Sequence, residues 1–300
     1  MYDVVVLTDA RYVNPRKRNQ YIDNVMMEDR LVMEALENLG LKTKKVAWSD
    51  TSFDWTQTKI ALFRTTWDYA EKFNEFSDWL MEVSLKTKLV NDYETIIWNL
   101  DKHYMNDLKE AGVNVVETYF IEPRDQRSLR AIHEELGWGS TVLKPSISAA
   151  AKDTFKLSPE NIADHEDRYA YLIKDEPMML QPFQGDVLKR GELSLMLIGG
   201  VYTHAVLKVA KPGDFRVQDD FGGTVEDYKP TQAEIDLAIA AVKACDYTPP
   251  LYARVDIVND NNGNPAVSEL ELVEPEMWFR KNEKAAEMLA EKVKRLLGST

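Results

Sequence analysis

The fold is decided by the pair of segments YARVDIV (residues 252–258) and AVSELEL (residues 266–272). Charged and apolar residues alternate in both segments, and the stretch between them is rich in Asn and Gly, so the pair predicts a β-hairpin. Side chains two residues apart on a strand point to the same face of a sheet. Asp256, Glu269 and Glu271 are therefore expected on one face of this hairpin.

Carboxylates crowded on one sheet face repel one another, and a divalent cation would offset that repulsion. Mg²⁺ suits such a place, because it binds one or two carboxylates and fills its other positions with phosphate oxygens and water. A solvent-exposed hairpin face with Leu270 and Leu272 packed beneath it explains the same pattern. The hairpin by itself leaves both interpretations open.

Two lysines upstream stand at the ends of predicted elements. Lys102 lies at the start of a helix, and Lys144 ends the apolar strand 141–144, just before Pro145 and the small-residue loop 146–153. Either lysine alone is most simply a surface charge. Combined with the acidic hairpin, the two lysines supply positive point charges that suit phosphate groups.

The first hundred residues alternate predicted strands with predicted helices. The run Val4–Leu7 indicates a buried strand, and apolar residues recur at helical spacing from about residue 22 to residue 39, where Gly40 ends the pattern. Such alternation predicts an open, mostly parallel sheet. The turn at residues 8–10 lacks the Gly-x-Gly-x-x-Gly sequence, which argues against a nicotinamide-dependent dehydrogenase.

Composition narrows the functional class further. The chain has 300 residues and a net charge of −13, so it is long enough for two or three lobes and is not expected to bind nucleic acid. Its one cysteine, Cys245, allows no internal disulfide, which favours a reducing compartment. No apolar stretch approaches the roughly 20 residues that cross a bilayer. We therefore expect a cytoplasmic protein with no membrane contact.

The order of these features resembles the ATP-grasp ligases over roughly residues 90 to 295. The resemblance lies in an ordered set of segments: the approach to the first lysine, the strand of the second lysine, the loop after it, a Leu-Gln-Pro-Phe segment and the acidic hairpin. These segments are residues 91–102, 142–145, 146–153, 180–183, 254–256 and 269–271. The implied fold is α/β, with an open, mostly parallel N-terminal pre-domain (residues 1–92), a middle lobe (93–178) and a C-terminal lobe (179–300).

Two further segments narrow the resemblance to one branch of the family. Residues 64–69 (RTTWDY) and residues 269–275 (ELELVEP) resemble the branch that includes the cycloserine-forming O-ureido-serine cyclo-ligase. Glutathione synthetase and the enzyme that adds glutamate to a ribosomal protein are more distant comparisons. The resemblance implies a small amino-acid-like substrate, without establishing that a ring is formed.

The resemblance also assigns a site for ATP and its metal. Lys102 and Lys144 would bind phosphates, and Asp256, Glu269 and Glu271 would hold Mg²⁺, with Mn²⁺ also compatible with these ligands. The other residues assigned to ATP are Ser146 and Ser148 in the loop, Gln181, Pro182 and Phe183 at the adenine hinge, Asp186 or Glu192 at the ribose, and Lys208 and Leu270.

The implied chemistry is formation of an acyl phosphate followed by attack of an amine-type nucleophile. The oxyanion of that second step needs a positive group, for which Arg254 is the first choice and Arg216 the second. Ligands of open sheets bind at the carboxyl ends of strands, so Arg64 is expected to hold the substrate carboxylate. Trp67 and Tyr69 would form the walls of that subsite.

Two positions depart from the family pattern. The phosphate-covering loop, usually rich in Gly, is Ser-Ile-Ser-Ala-Ala-Ala at residues 146–151, which has less conformational freedom. The last metal ligand, commonly Asn, is Glu271. Glutamate keeps an oxygen ligand and adds a negative charge.

Other functions remain open from the sequence. The same fold serves enzymes that add an amino acid to a peptide or protein terminus. A nucleotide-binding regulatory protein without turnover is a second alternative, against which the retained lysines and carboxylates argue. An α/β protein that binds no nucleotide is a third. Family analogy also suggests a homodimer that forms through the N-terminal sheet.

Overall fold

Three β-sheets organise the residues that the computed structural model describes, which are 1–148, 152–214, 217 and 222–298. The N-terminal sheet is parallel, and the other two sheets contain antiparallel pairs. The predicted α/β class with a parallel N-terminal sheet is therefore confirmed. The lobe boundaries of the sequence analysis stay a proposal.

The N-terminal sheet has the strand order β2-β1-β3-β4 and is covered on both faces. Val4 and Val6 of β1 pack against α1, whereas Val5 and Leu7 pack against α2, so the continuous apolar run of this strand is buried from both sides. The elements are β1 (Tyr2–Thr8), α1 (Gln20–Asn38), β2 (Thr43–Ala47), β3 (Thr58–Thr65), α2 (Phe73–Ser84) and β4 (Lys88–Val90).

The middle sheet has the order β5-β8-β6-β7 and follows two helices. Its core is formed by apolar residues from the strands and from the two helices that cover one face. The elements are α3 (Tyr93–Leu100), α4 (Tyr104–Glu110), β5 (Tyr119–Ile121), α5 (Leu129–Leu136), β6 (Thr141–Pro145), β7 (Phe155–Leu157), α6 (Glu166–Leu172) and β8 (Met178–Pro182).

The C-terminal sheet has the order β11-β10-β9-β12-β13. Gly199 and Gly200 connect β9 to β10, and both have positive φ (57° and 75°), as a tight two-residue hairpin turn requires. The elements are α7 (Val187–Arg190), β9 (Glu192–Ile198), β10 (Val201–Val209), β11 (Thr224–Tyr228), α8 (Gln232–Lys243), β12 (Tyr252–Asn259), β13 (Pro265–Glu271) and α9 (Glu283–Gly298).

The middle lobe contains a short strand and a capped helix. Strand β5 covers only Tyr119–Ile121, and Val115 before it forms an isolated bridge with Val267. Helix α5 begins at Leu129, where the Ser128 side chain accepts a hydrogen bond from the Ala131 N–H and caps the helix.

Helix α3 was not predicted, and it braces the acidic hairpin. The Asn99 side chain donates to the Leu270 carbonyl (2.8 Å) and accepts from the Leu272 N–H (2.7 Å). The hydroxyl of Tyr104, the first residue of α4, accepts a hydrogen bond from the Leu270 N–H (3.0 Å). The free edge of β13 is thereby paired with side chains, which fixes the hairpin against the middle lobe.

Helix α9 packs its apolar face against α1 of the N-terminal domain. Leu289 is fully buried in this interface together with Val32 and Leu36. Replacing Leu289 with Ala is expected to lower the free energy of unfolding by about 2–5 kcal/mol, because it leaves a cavity. Urea unfolding measures this loss, and Glu287→Ala on the exposed side of the same helix should change stability little.

No helix within the described ranges combines the length and the apolar character that crossing a bilayer requires.

Candidate active site

A cavity of about 610 Å³ lies where the three sheets meet. Its walls come from the N-terminal domain, the middle lobe and the C-terminal lobe. Most residues assigned from the sequence line this one cavity: Trp67, Tyr69, Lys102, Lys144, Ser148, Gln181, Pro182, Phe183, Glu192, Lys208, Arg254, Asp256, Glu269, Leu270 and Glu271.

The hairpin of β12 and β13 places its acids on one face, as the alternation predicts. Asp256 pairs with Glu269 across the two strands, and Arg254 pairs with Glu271. One carboxylate oxygen from each of Asp256, Glu269 and Glu271 lies within 4.8 Å of the others. Three oxygen donors at this spacing fit a hard divalent cation such as Mg²⁺.

Cationic side chains are interleaved with these carboxylates. The Arg254 guanidinium donates to both oxygens of Asp256 (3.0 and 2.9 Å) and to Glu271. The Lys208 ammonium bridges Asp256 (3.0 Å) and Glu192 (2.5 Å). Positive and negative side chains therefore alternate in the site, and their pairing offsets the free-energy cost of burying the charges.

Electrostatics distinguish two of the three acids, Asp256 and Glu271. Burial raises the pKa of Asp256, but the charges of Arg254 and Lys208 outweigh it and lower that pKa overall. Burial, with the negative charges of Glu269 and Asp256, raises the pKa of Glu271 to about 8, although Arg254 opposes the shift. A bound cation would stabilise the ionised form of Glu271.

The two predicted phosphate lysines face the cavity in different states. Lys102 lies 3.2 Å from a Glu269 oxygen and donates to the Ser148 carbonyl (2.8 Å). Within the described part of the chain, Lys144 has no ion pair, and burial lowers its pKa. An unpaired ammonium lining a partly closed cavity fits an anionic ligand such as a phosphate group.

One part of the cavity wall is apolar. Branched side chains from the middle and C-terminal lobes form it, together with Phe183. An apolar wall of this kind suits a heterocyclic base. The apolar residues are Val116, Val142, Val187, Val258 and Leu270.

The predicted adenine hinge is already partly bonded within the protein. The Phe183 N–H donates to the Ser140 carbonyl (2.8 Å), and its carbonyl accepts from Asn261 (3.1 Å). The Gln181 side chain donates to Thr118 (2.9 Å). The Phe183 N–H is therefore occupied within the protein, whereas its carbonyl can accept a second hydrogen bond.

Glu192 and Asp186 are separated by their positions. Glu192 lines the cavity, whereas Asp186 lies outside it and accepts a hydrogen bond from Asn259 (2.8 Å). Of the two acids that the sequence left open, Glu192 is therefore the one that lines the cavity.

Three assigned residues do not line the cavity. Arg64 is 1% exposed and donates to the Pro275 carbonyl (3.3 Å), so the expected contact with the substrate carboxylate is not supported. Ser146 is fully buried, and its carbonyl accepts from the Lys102 N–H (3.0 Å). Asp186 is the third, as described above. Arg216, the second choice for the oxyanion, lies outside the described residues.

Another part of the cavity wall is aromatic and acidic. The Trp67 ring meets Tyr12 edge-on (centroids 5.7 Å apart) and lies beside Tyr21 (6.4 Å). Tyr69 and Glu274 also line the cavity, and the Glu274 carbonyl accepts a hydrogen bond from Trp67. Sequence reasoning assigned Trp67 and Tyr69 here but gave no role to Glu274, although it stands three residues after Glu271 in a quoted segment.

Comparison with known proteins identifies the family. Residues 4–91 match the family model described as D-cycloserine synthetase DcsG, N-terminal domain. The cycloserine biosynthesis protein DcsG of Streptomyces lavendulae is 30% identical over 283 residues, which cover 88% of this chain and 93% of that protein. The chain belongs to the DcsG family. Members of this family are ATP-grasp ligases, so the chain is an ATP-dependent carbon–nitrogen ligase.

Solved structures agree with this family assignment. The crystal structure of D-cycloserine synthetase DcsG superposes with a TM-score of 0.85 at 28% identity, covering 98% of this chain and 99% of that one. The ATP-grasp ligase PsnB, complexed with a precursor variant, Mg and ADP, has a TM-score of 0.64 at 15% identity and covers 98% of this chain and 99% of its own. The second likeness shows the fold alone, and together they confirm the predicted ATP-grasp fold.

Proposed function

We propose that this DcsG-family ligase uses ATP to activate the carboxylate of an amino-acid-like substrate and closes a ring on it. The observation that carries the proposal is one cavity with an apolar part, an unpaired Lys144, the acidic hairpin and an aromatic part. The name of D-cycloserine synthetase supports a cyclic product. The resemblance of residues 64–69 and 269–275 to the O-ureido-serine cyclo-ligase branch makes O-ureido-D-serine the substrate to test.

The first step is phosphoryl transfer. A substrate carboxylate oxygen attacks the γ-phosphorus of ATP, the bond to the β-phosphate oxygen breaks, and ADP leaves while an acyl phosphate forms. Lys102 and Lys144 would orient the phosphates as point charges. Asp256, Glu269 and Glu271 would hold Mg²⁺, which neutralises charge on the phosphates when bound.

The second step is acyl transfer to nitrogen. The nitrogen attacks the acyl carbon, a tetrahedral oxyanion forms, and inorganic phosphate leaves as the carbonyl is restored and the nitrogen loses a proton. Arg254 supports this step, because it lines the cavity, carries a fixed charge and lies on the same sheet face as the acids. Preorganised donors of this kind stabilise the oxyanion most strongly in a site without bulk water.

The nucleotide site is tested with Lys144→Ala. At about 100 times its dissociation constant, Mg·ATP is expected to stabilise the wild type by about 2.7 kcal/mol, and the variant much less, because the unpaired ammonium is lost. Thermal unfolding with and without nucleotide measures the difference. Lys152→Ala removes a second lysine of the cavity wall and should keep most of the stabilisation.

Release of ADP tests the reaction itself. Wild-type protein with ATP, Mg²⁺ and O-ureido-D-serine should release ADP and phosphate, and hydroxylamine should trap an activated carboxylate as its hydroxamate. Nucleotide stabilisation without substrate-dependent ADP release would contradict the proposed substrate and leave the nucleotide site in place.

A further inference from the structure

Glu274 stands apart from the other acids of the cavity. Among the described residues its carboxylate has no ion pair and no hydrogen bond to another residue, although it forms part of the wall of a partly closed cavity. Burial and the charge of Glu269 raise its pKa to about 7, against the opposing effect of Lys102. Burying a carboxylate that has no ion pair among the described residues is costly, and a cationic ligand would offset this cost.

The backbone around Glu274 is fixed by side chains from distant parts of the chain. The Glu274 carbonyl accepts from Trp67 Nε1 (3.0 Å), the Val273 carbonyl lies 2.7 Å from the Tyr252 hydroxyl, and the Pro275 carbonyl accepts from Arg64 (3.3 Å). Three successive carbonyls are therefore bonded to buried or half-buried side chains. These bonds fix the backbone at Glu274, whose side chain lines the cavity.

The neighbouring acids are already neutralised or exposed. Glu276 forms an ion pair with Arg280 (2.6 Å), and Arg280 also pairs with Glu28 (3.0 Å). Glu71 is exposed at the rim. Within the described residues, the group of carboxylates spaced for a metal comprises three others and does not include Glu274.

A second unpaired group faces the same space. Tyr69 is 5% exposed and lines the cavity, yet its hydroxyl has no hydrogen-bond partner among the described residues. Burial and the negative charge of Glu274 raise the pKa of Tyr69, so the phenol stays neutral. Trp67, whose indole N–H donates to the Glu274 carbonyl, lines the same cavity, and aromatic faces attract cations.

We propose that Glu274 and Tyr69 form the subsite that binds the positively charged amino group of the substrate. The proposal rests on the proposed function and adds how the active site selects its substrate. An ammonium donates up to three hydrogen bonds, which matches two carboxylate oxygens and a phenol oxygen. The subsite therefore selects substrates with a free amino group and leaves the carboxylate pointing towards Lys144 and Arg254.

The test compares two substrates on two proteins. One substrate is O-ureido-D-serine, and the other is 3-(ureidooxy)propanoate, which lacks only the amino group. For Glu274→Gln we expect kcat/KM for ADP release to fall about 30-fold or more with the amino substrate, as for truncation of one partner of a buried charge pair. With the analogue, which brings no ammonium, kcat/KM should change less than about threefold.

Two matched variants separate this role from general effects of charge. Tyr69→Phe removes one neutral hydrogen bond and should lower kcat/KM for the amino substrate about fivefold. Glu71→Gln removes a negative charge at the rim of the same cavity and should change neither substrate by more than about twofold. Mg·ATP should stabilise all three variants as it stabilises the wild type, which shows that each is folded.

The outcomes distinguish the subsite from the reaction. Equal losses for both substrates in Glu274→Gln, or no loss for either, would overturn the ammonium subsite while leaving the ligase function intact. A wild type that releases no ADP with either substrate overturns the proposed function, and the subsite falls with it. Loss of discrimination confined to Glu274→Gln and Tyr69→Phe supports the assignment.

Discussion

Replacing Arg254 with Met is expected to lower kcat for ADP and phosphate release about 100- to 1,000-fold. The guanidinium is the proposed donor to the oxyanion, and removal of one such donor has effects of this size. The same change leaves Asp256 and Glu271 facing each other without their shared counterion. Breaking a buried charge pair in this way costs about 3–5 kcal/mol of stability.

The two effects of this substitution separate when Mg²⁺ is present. A divalent cation on the hairpin acids would replace part of the lost positive charge, so urea unfolding should show that Mg²⁺ restores some stability. It should not restore kcat, because the donor to the oxyanion is still absent. Arg254→Lys keeps the charge but lacks the planar fork that reaches both carboxylates, so its kcat should be intermediate.

A matched control is available outside the cavity. Arg190 forms a half-buried ion pair with Glu234 and does not line the cavity. Arg190→Met should therefore lower stability and leave kcat of the folded protein near the wild-type value. If Arg254→Met also kept kcat within about threefold of the wild type, Arg254 would be a structural ion-pair partner and not a group that acts on the oxyanion.

The charged part of this site could be predicted from the sequence because its geometry is local. A strand turns every second side chain to the same face, so the alternation around Asp256, Glu269 and Glu271 determines their common orientation before any packing is known. This prediction is confirmed by the register of the C-terminal sheet, which pairs Asp256 with Glu269 and Arg254 with Glu271.

The substrate part could not be predicted, because tertiary contacts decide it. Arg64 stands near the end of a buried strand, where ligand-binding residues are common, and only the packing of residues 274–279 shows that it faces the protein interior. Glu274 has no local signal that separates it from Glu276. Only the structure shows that Glu276 forms an ion pair with Arg280 and that Glu274 does not.

Helix α3 is a further case in which tertiary contacts decide the structure. Its eight residues are too few to show a clear amphipathic period. Its role becomes visible only because Asn99 bonds to the backbone of Leu270 and Leu272, on either side of Glu271. Side-chain bonds to a strand edge leave no periodic trace in a sequence. The bracing of the hairpin is therefore a property of the fold that only the structure shows.

Replacing Asp256 with Asn is expected to raise the Mg²⁺ concentration needed for ADP release by about 100-fold or more. Even residues that only orient metal ligands change metal affinity about 10- to 100-fold, and Asp256 is proposed to be a ligand. The change also leaves Arg254 and Lys208 without their shared carboxylate. A loss of stability of about 3 kcal/mol is expected, because among the described residues Arg254 keeps only Glu271 as an acidic partner and Lys208 keeps only Glu192.

Glu269→Gln separates the metal role from the ion-pair role. The Glu269 side chain is 29% exposed and pairs only with Lys102 at 3.2 Å among the described residues, so its replacement should cost much less stability than that of Asp256. The loss of Mg²⁺ affinity should nevertheless be similar, because each acid supplies one oxygen to the same group. Urea unfolding in EDTA and Mg²⁺ titration of ADP release measure the two quantities independently.

Asp260→Asn is the matched control, since Asp260 lies in the turn of the same hairpin and accepts backbone N–H groups that an Asn oxygen also accepts. Its Mg²⁺ requirement should equal that of the wild type. If Asp256→Asn needed no more Mg²⁺ than this control, the acids would serve only as counterions for Arg254 and Lys208. The hairpin would then hold charge for the fold, and the metal would have to bind through the phosphates of ATP instead.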